Sequence, residues 1–350
     1  MSARLHVLLG AGGVGKTTLA AGYALALARG GARVGLLGID PALRLGTALG
    51  LDLGAGEADV PGSGSLRAAL LAPEQTLHRW AVEASPDAAA RARLLANPLF
   101  VALAERLASA TDLLAAARVA EWVEHDPELA HLVVDTAPGL GAVEFLRRPE
   151  RIAALLEGRL VALLRRLGRQ GVRRAPRGIA RRVLAGVMRI GGSALLLDLA
   201  ELMALAEGLL AKLLERVERA RRWLADPSTE ILLVAAVRTD AADVAERFAA
   251  ALEEVGLAPS AAVLNRALPP GLGARLAGLD VPELPDAQAL VRYARAYARQ
   301  QAEVAREAGR WARRVVTLPS VRGLDGAERH AALGALGEAL RAGLAAGPAG

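Results

Sequence analysis

The stretch that decides the fold is Gly10-Ala11-Gly12-Gly13-Val14-Gly15-Lys16-Thr17-Thr18. It satisfies the P-loop pattern Gly-x-x-x-x-Gly-Lys-Thr, in which backbone N–H groups of a glycine-rich loop turn towards phosphate oxygens. An apolar run of strand length, Leu5 to Leu9, precedes the loop, and a segment rich in alanine and leucine, Thr18 to Arg29, follows it. This order of strand, loop and helix predicts a phosphate site at the helix N-terminus. The residues expected to bind the nucleotide here are Gly12, Gly13, Val14, Gly15, Lys16, Thr17 and Thr18.

The lysine of this motif is a rare residue in the chain. Of the 43 basic residues, only Lys16 and Lys212 are lysines. Lysine therefore stands where a phosphate loop needs a compact ammonium, which the wide planar guanidinium of arginine does not replace. This placement argues against a chance match in a glycine-rich chain.

Length and composition limit the class of protein. A chain of 350 residues, 53% of them hydrophobic, has room for one large α/β domain with an insertion or for two domains. The absence of cysteine excludes disulfides, thiolate metal sites, an iron–sulfur cluster and a cysteine nucleophile. No apolar run reaches ~18 residues, and the first strand follows Met1 too closely for a signal peptide. We therefore expect a soluble, cytoplasmic protein.

The net charge of +6 raises the question of an acidic partner. Aromatic residues make up only 3% of the chain, so platforms for base stacking are sparse and a nucleic-acid partner is not expected. Arginines concentrate between Arg147 and Arg189. A solvated helical face explains them best, and an acidic partner or an anionic membrane surface is the alternative.

Apolar runs alternate with helical segments along the rest of the chain. Further strands are expected at Arg33–Ile39, Leu77–Ala84, His131–Asp135, Glu230–Val237, Ser260–Leu264 and Val315–Leu318. Asp52 to Ser65 is rich in Gly, Ser, Pro and Asp and is expected to be a mobile surface loop. Strands that alternate with helices predict an α/β fold, a parallel-sheet P-loop NTPase with a helical insertion subdomain. We expect the core at 1–150 and 226–345, the insertion at 151–225 and a flexible tail at 346–350.

Two aspartates close predicted strands of this sheet. Asp135 follows an apolar strand and is expected to hold Mg²⁺ together with Thr17, whereas Asp40 is expected to orient the attacking water. A carboxylate that caps a turn is the alternative for each of them. Because carboxyl ends of parallel strands meet at one edge of a sheet, their joint occurrence favours catalysis by Asp40 and Lys16 and a metal site at Thr17 and Asp135.

The chain resembles the anion-transporting ATPase family, which includes the arsenical-pump ATPase and the tail-anchored-protein targeting ATPase. The resembling segments are Gly10 to Thr18, Asp40-Pro41-Ala42, Asp135-Thr136-Ala137-Pro138, Phe145 to Pro149, Asn265 and Pro319 to Gly323. The resemblance implies a deviant Walker A type of P-loop, ATP and Mg²⁺ as ligands, and a dimer across the nucleotide sites. It also implies that Asp40 positions water and that Asn265 and Pro319 bind the adenine.

Two departures from the family pattern narrow the function. Ala11 stands where the family has a lysine that crosses the dimer interface to the nucleotide of the partner. The absence of cysteine removes the thiolate site for arsenite, so an arsenite pump subunit is not expected.

Three interpretations remain open at this stage. The first is a Mg²⁺-dependent ATPase that dimerises and uses hydrolysis as a switch, with slow turnover because of Ala11. The second is a weakly hydrolysing subunit in a heterodimer with a lysine-bearing paralogue. The third is an adaptor for a hydrophobic client or an anionic membrane surface, built on residues 150–222 with their leucine-rich stretch Leu195 to Val217. A GTPase is disfavoured because Asn265 is not followed by the Asp that binds guanine.

Overall fold

The fold is seen in a computed structural model, which describes the chain in the following ranges: 3–40, 44–54, 56–108, 111–139, 201–202, 205–237, 241–269, 271–272, 275, 285–321 and 328–346. Its strands are β1 Arg4–Gly10, β2 Val34–Gly38, β3 Glu57–Asp59, β4 Leu66–Leu70, β5 His131–Asp135, β6 Glu230–Ala236, β7 Ala261–Ala267 and β8 Val315–Pro319. The helices within these ranges are α1 Lys16–Arg29, α2 Arg44–Leu49, α3 Pro73–Ala84, α4 Ala88–Ala96, α5 Pro98–Ala108, α6 Thr111–His125, α7 Glu207–Leu224, α8 Ala241–Glu253, α9 Pro285–Trp311 and α10 Arg329–Ala345.

All eight strands form one sheet in the order β3-β4-β2-β5-β1-β6-β7-β8. Every neighbouring pair is parallel except the pair of β3 and β4. The central strand β1 pairs with β5 on one side, Leu5 opposite Leu132, and with β6 on the other, Leu8 opposite Leu232. Continuous apolar runs such as that of β1 are typical of parallel strands covered on both faces. The predicted α/β fold with a parallel sheet is confirmed.

The helix that follows the P-loop is held by close backbone contact with the last helix. Gly22 of α1 faces Gly337 of α10, and a Cβ added to Gly337 would collide with the Gly22 carbonyl oxygen. Glycine at this crossing lets two helix backbones approach more closely than any side chain would permit. Leu19 and Leu25 of α1 and Leu340 of α10 are fully buried beside this contact.

The chain divides into two compact units, one formed by 1–70, 122–144 and 223–350 and the other by 71–121 and 145–222. The first unit contains the sheet. The described part of the second unit is helical, and its core includes Trp80 of α3. The guanidinium of Arg216 in α7 lies 5.2 Å from the centroid of the Trp80 ring and donates to both carboxylate oxygens of Glu83, each at 3.1 Å. The domain boundaries expected at 151 and 225 stay predictions.

Two expectations along the chain are wrong, and one strand has no counterpart among them. Leu77–Ala84 belongs to helix α3 and is not a strand, since its buried residues Thr76, Leu77, Trp80 and Ala81 follow the helical period. Strand β4 was not expected, because its alanines have low strand propensity although the strand is buried within the sheet. The loop expected between Asp52 and Ser65 contains the edge strand β3, which pairs with β4.

Several sequence features lie outside the described residues. These are Pro41-Ala42, the segment Phe145 to Pro149, the arginine-rich stretch between Arg147 and Arg189, most of the predicted insertion, Arg322-Gly323 and the tail beyond 346. Most of the described part of the leucine-rich stretch lies in α7, where Leu209, Leu210 and Leu213 are buried. None of the helices in the described ranges has the length and apolar character needed to span a membrane.

Candidate active site

A cleft of about 500 Å³ opens at the carboxyl ends of the central strands. In an open parallel sheet this is the edge where ligands bind. The predicted site residues that line it are Gly13, Gly15, Lys16, Thr17, Thr18 and Asp40. The other residues that line it are Arg44, Thr47, Ala48, Thr136, Arg266, Arg329 and Leu333. Gly12, Val14, Asp135, Asn265 and Pro319 do not line the cleft, and their roles stay predictions, as do those of the lining residues.

The P-loop backbone needs its glycines. Gly13 and Gly15 have φ angles of 75° and 95°, in the left-handed region that other residues rarely adopt. Helix α1 begins at Lys16. Its N-cap residue is Gly15, which makes no side-chain hydrogen bond to the first turn. Because Gly15 to Thr18 line the cleft, the first backbone N–H groups of α1 and its positive dipole end are available to an anion.

Lys16 is turned back onto its own loop. Its ammonium donates to the carbonyl oxygens of Gly10 and Ala11 at 2.9 and 3.0 Å, and the residue is only 6% exposed. Burial lowers the pKa of Lys16, whereas the negative charges of Asp135 and Asp40 raise it. Two of the three ammonium donors are thus used by the loop, which fixes the position of the charge.

Asp135 ends β5 and is 1% exposed. Its carboxylate forms a hydrogen bond with the side chain of Thr17, but its Oδ1 atom has no hydrogen-bond partner among the described residues. Burial raises the pKa of Asp135 to about 6, although the Thr17 hydrogen bond and the charge of Lys16 oppose this. An unpartnered buried carboxylate oxygen next to a threonine hydroxyl fits Mg²⁺, which prefers oxygen ligands.

Asp40 lies at the end of the neighbouring strand β2, whose residue Gly38 is opposite Asp135. The Ile39 amide donates to the Asp135 carbonyl oxygen at 2.8 Å, so the two strand ends are held together just before Asp40. The Asp40 side chain lies 3.5 Å from a guanidinium nitrogen of Arg44, four residues further along the chain. The next residue after Asp135 is also fixed, because the Thr136 hydroxyl donates to the Leu8 carbonyl oxygen at 2.6 Å.

Asn265 is inside β7 and braces the P-loop. Its side-chain amide donates to the Val14 carbonyl oxygen at 2.9 Å, and its side-chain oxygen accepts from the Arg266 amide at 2.9 Å. Both polar ends of the side chain are therefore engaged with the backbone in this structure. Arg266 has a φ of 61°, at an irregularity in the pairing of β7 with β8, and its carbonyl oxygen accepts from the Tyr297 hydroxyl at 2.7 Å.

Three arginines of the cleft were missed by the sequence argument. Arg44 could have been found from its position four residues after Asp40, and Arg266 from its position next to Asn265. Arg329, at the start of α10, carries no local signal that points to the cleft.

Ala11 borders a second, much smaller space. This apolar pocket is lined by Ala11, Val14, residues of β6, and Ala241, Val244, Ala245 and Phe248 of α8. The partly buried Ala11 packs against the apolar core around α1. Apolar groups therefore border the side chain of Ala11.

The model of the anion-transporting ATPase family matches residues 3–272, which include the P-loop, Asp40, Asp135 and Asn265. A search of curated proteins finds no significant match.

Proposed function

The chain belongs to the anion-transporting ATPase family, and we propose that it is a Mg²⁺-dependent ATPase whose ATP binds in the cleft at the P-loop. The observation that carries this proposal is the convergence of four groups. Lys16, Thr17 and Asp40 line one cleft. The carboxylate of Asp135, which has an unpartnered Oδ1 atom, is hydrogen-bonded to the Thr17 side chain.

The roles follow from what phosphoryl transfer requires. Lys16 and the first N–H groups of α1 hold the phosphates, and Thr17 and Asp135 hold Mg²⁺. When bound, Mg²⁺ neutralises charge on the β- and γ-phosphates. Asp40 orients the attacking water, and the pairing of β2 with β5 sets its position relative to Asp135.

In our proposal the chain is not a subunit of an arsenite pump. A chain without cysteine has no thiolates to bind a soft metalloid. We propose a dimer that couples ATP hydrolysis to a change of conformation in the cytoplasm, with the helical segment 151–225 as its insertion subdomain.

Ala11 favours a second candidate function. A subunit without the trans-acting lysine could receive that charge from a lysine-bearing paralogue, while leaving the nucleotide of the paralogue without one. The adaptor for a hydrophobic client or an anionic membrane gains no such support, since Leu209, Leu210, Leu213 and Leu224 of α7 are buried.

The test compares the only two lysines of the chain. Lys16→Ala should reduce ATP hydrolysis by about 100-fold or more, because it removes a fixed charge at the transferred phosphoryl. Lys212→Ala is the matched control, since Lys212 lies in the second unit with its ammonium 3.0 Å from Glu83. Chelation of Mg²⁺ should abolish turnover. A rate of hydrolysis that is unchanged by Lys16→Ala, or unchanged by chelation of Mg²⁺, contradicts the proposal.

A separate comparison distinguishes the two candidates. In the paired-subunit candidate, addition of a relative with the sequence GKGGVGK raises turnover at this chain's site. Ala11→Lys should do the same in a homodimer. If neither raises turnover, no lysine supplied from a partner serves this site.

A further inference from the structure

Arg44 is the cleft cation in direct contact with a predicted catalytic group. It is the first residue of α2, and its guanidinium lies 3.5 Å from the carboxylate of Asp40. Its side chain is 57% exposed, so packing does not fix it and it is free to change partner. Arg44 and Asp40 line the same cleft as Lys16 and Thr17.

Phosphoryl transfer requires a further cation at the transferred group. Such a charge, when supplied by an arginine of the same chain or of a partner, is worth about 10³- to 10⁵-fold in turnover. Ala11 contributes only a methyl group, which borders an apolar pocket. Lys16 is already held by two carbonyl oxygens of the loop.

The other cations that line the described cleft lie elsewhere around it. Arg266 follows Asn265 on β7, two strands away from the P-loop strand β1, and the position of its backbone is fixed by Tyr297. Arg329 lies beside Gly50, at the end of α2 remote from Asp40. Arg44 is the one placed next to the carboxylate that orients water.

We propose that Arg44 supplies, from the same chain, the positive charge at the transferred phosphoryl that Ala11 does not provide. This inference rests on the proposed ATPase function. In the free protein Arg44 is paired with Asp40, and on ATP binding its guanidinium moves to the γ-phosphate oxygens and frees Asp40 to accept a hydrogen bond from water. The water oxygen then bonds to the γ-phosphorus, the bond to the bridging oxygen breaks and its electron pair leaves with ADP. The proton of the water passes through Asp40 to the released phosphate.

The first experiment measures single-turnover hydrolysis of ATP with Mg²⁺. Arg44→Ala and Arg44→Gln should both slow it by about 100-fold or more. Arg67→Ala is the matched control, because Arg67 is similarly exposed and pairs with Asp59 and Glu57 on β3. Melting curves of each variant identify any that fails to fold, and the glutamine variant keeps most of the side chain. Wild-type turnover in a folded Arg44→Gln protein overturns the proposal.

The second experiment tests whether Arg44 acts on the nucleotide of its own chain or on that of a partner. Arg44→Ala is mixed with Lys16→Ala over a range of protein concentrations. An arginine that acts within its own chain gives no recovery of hydrolysis in the mixture. Recovery would show that a partner supplies Arg44, and it would overturn the assignment to the same chain.

The third experiment separates this inference from the proposed function. Binding of ATPγS and of ADP is measured for the wild type and for Arg44→Gln. We expect affinity for ATPγS to fall by about 10-fold or more while affinity for ADP stays the same, since only ATPγS carries an anionic group, a thiophosphate, at the γ position. If the wild type hydrolyses no ATP but this selective loss is seen, the ATPase proposal fails and the contact of Arg44 with the γ-phosphate stands. Equal affinities in both proteins, or no binding by the wild type, overturn the role of Arg44.

Discussion

The central strands β1, β5 and β6 carry polar groups at both ends, and the two ends differ in how these groups are partnered. At the amino end, His6 is 1% exposed, and its ring nitrogens lie 2.9 Å from Glu230 and 2.9 Å from His131. The Tyr23 hydroxyl donates to the same Glu230 oxygen at 3.5 Å, and Arg314 lies 3.8 Å from the other. Each of these groups has a partner within the protein.

The carboxyl end is left incomplete by comparison. The Oδ1 atom of Asp135 is buried and has no hydrogen bond within the described part of the chain, and burial raises the pKa of this residue. An unsatisfied buried polar atom is costly for stability. Such an atom is expected where a ligand completes the site, so the contrast distinguishes a structural cluster from a functional one.

The largest expected effect is at the incomplete end. Asp135→Asn should reduce ATP hydrolysis by about 100-fold or more, because the metal loses an anionic ligand. The free energy of unfolding in the absence of metal should stay the same or rise, since a poorly solvated carboxylate is removed. Steady-state hydrolysis and denaturant unfolding measure both quantities. A large loss of stability without loss of turnover would instead assign a structural role to Asp135.

The second effect is a loss of stability without loss of activity, at the amino ends of the strands, where the polar groups have partners. Glu230→Gln should lower the free energy of unfolding by about 1–3 kcal/mol, because His6, Tyr23 and Arg314 lose a charged partner. Turnover of the folded protein should stay within about twofold, since distant sites act independently. Unfolding by denaturant with a parallel ATPase assay is the measurement. A selective loss of activity would assign a functional role to the amino end.

A third, smaller effect tests whether hydrolysis depends on a polar group being unpartnered or only on its location in the cleft. Thr136 lies in the cleft, yet its hydroxyl is satisfied by the Leu8 carbonyl oxygen. Thr136→Val should therefore lower the free energy of unfolding by about 1 kcal/mol and change hydrolysis only modestly. If hydrolysis falls as far as in Asp135→Asn, location in the cleft matters more than partnering.

The smallest expected effect is a pH dependence at the amino end. Burial, together with the charges of His6 and Arg4, lowers the pKa of His131 from 6.5 to about 4, although the charge of Glu230 opposes this. Between these two values the unfolded chain binds a proton at His131 that the folded protein does not. Stability should therefore fall as the pH decreases from 6.5 towards 4, and His131→Gln should flatten this slope. Since His131 is partly exposed, solvent screening keeps the effect small. Thermal melting across this pH range is the measurement, and an unchanged slope in the variant contradicts the assignment.

Much of the sheet could be predicted from the sequence. Strands β1, β2, β5, β6 and β8 are short apolar runs bounded by turn residues, and each lies within about two residues of its predicted bounds. Helix α3 was misjudged because the alternation within Leu77 to Ala84 hides the helical period that starts at Pro73. Strand β4 carries two alanines, so only its position in the sheet explains why it is a strand.

The site was predictable only where a motif sets the backbone. Gly15, Lys16 and Thr17 could be placed in the cleft because consecutive residues must lie together. That Asn265 braces Val14 depends on which strands are neighbours, because β6 and β7 bring residues separated by 251 positions into contact. Arg329 reaches the cleft only through the packing of α10 against α1, which no local pattern indicates.

The contact of Gly22 with Gly337 has a mechanical consequence. Because the two helix backbones touch there, α1 cannot slide along or rotate about its axis without a collision with α10. Lys16 and Thr17 at the start of α1 are thus anchored to the last helix of the chain. The contact of α1 with α10 therefore fixes one side of the cleft that Asp40 and Arg44 also line.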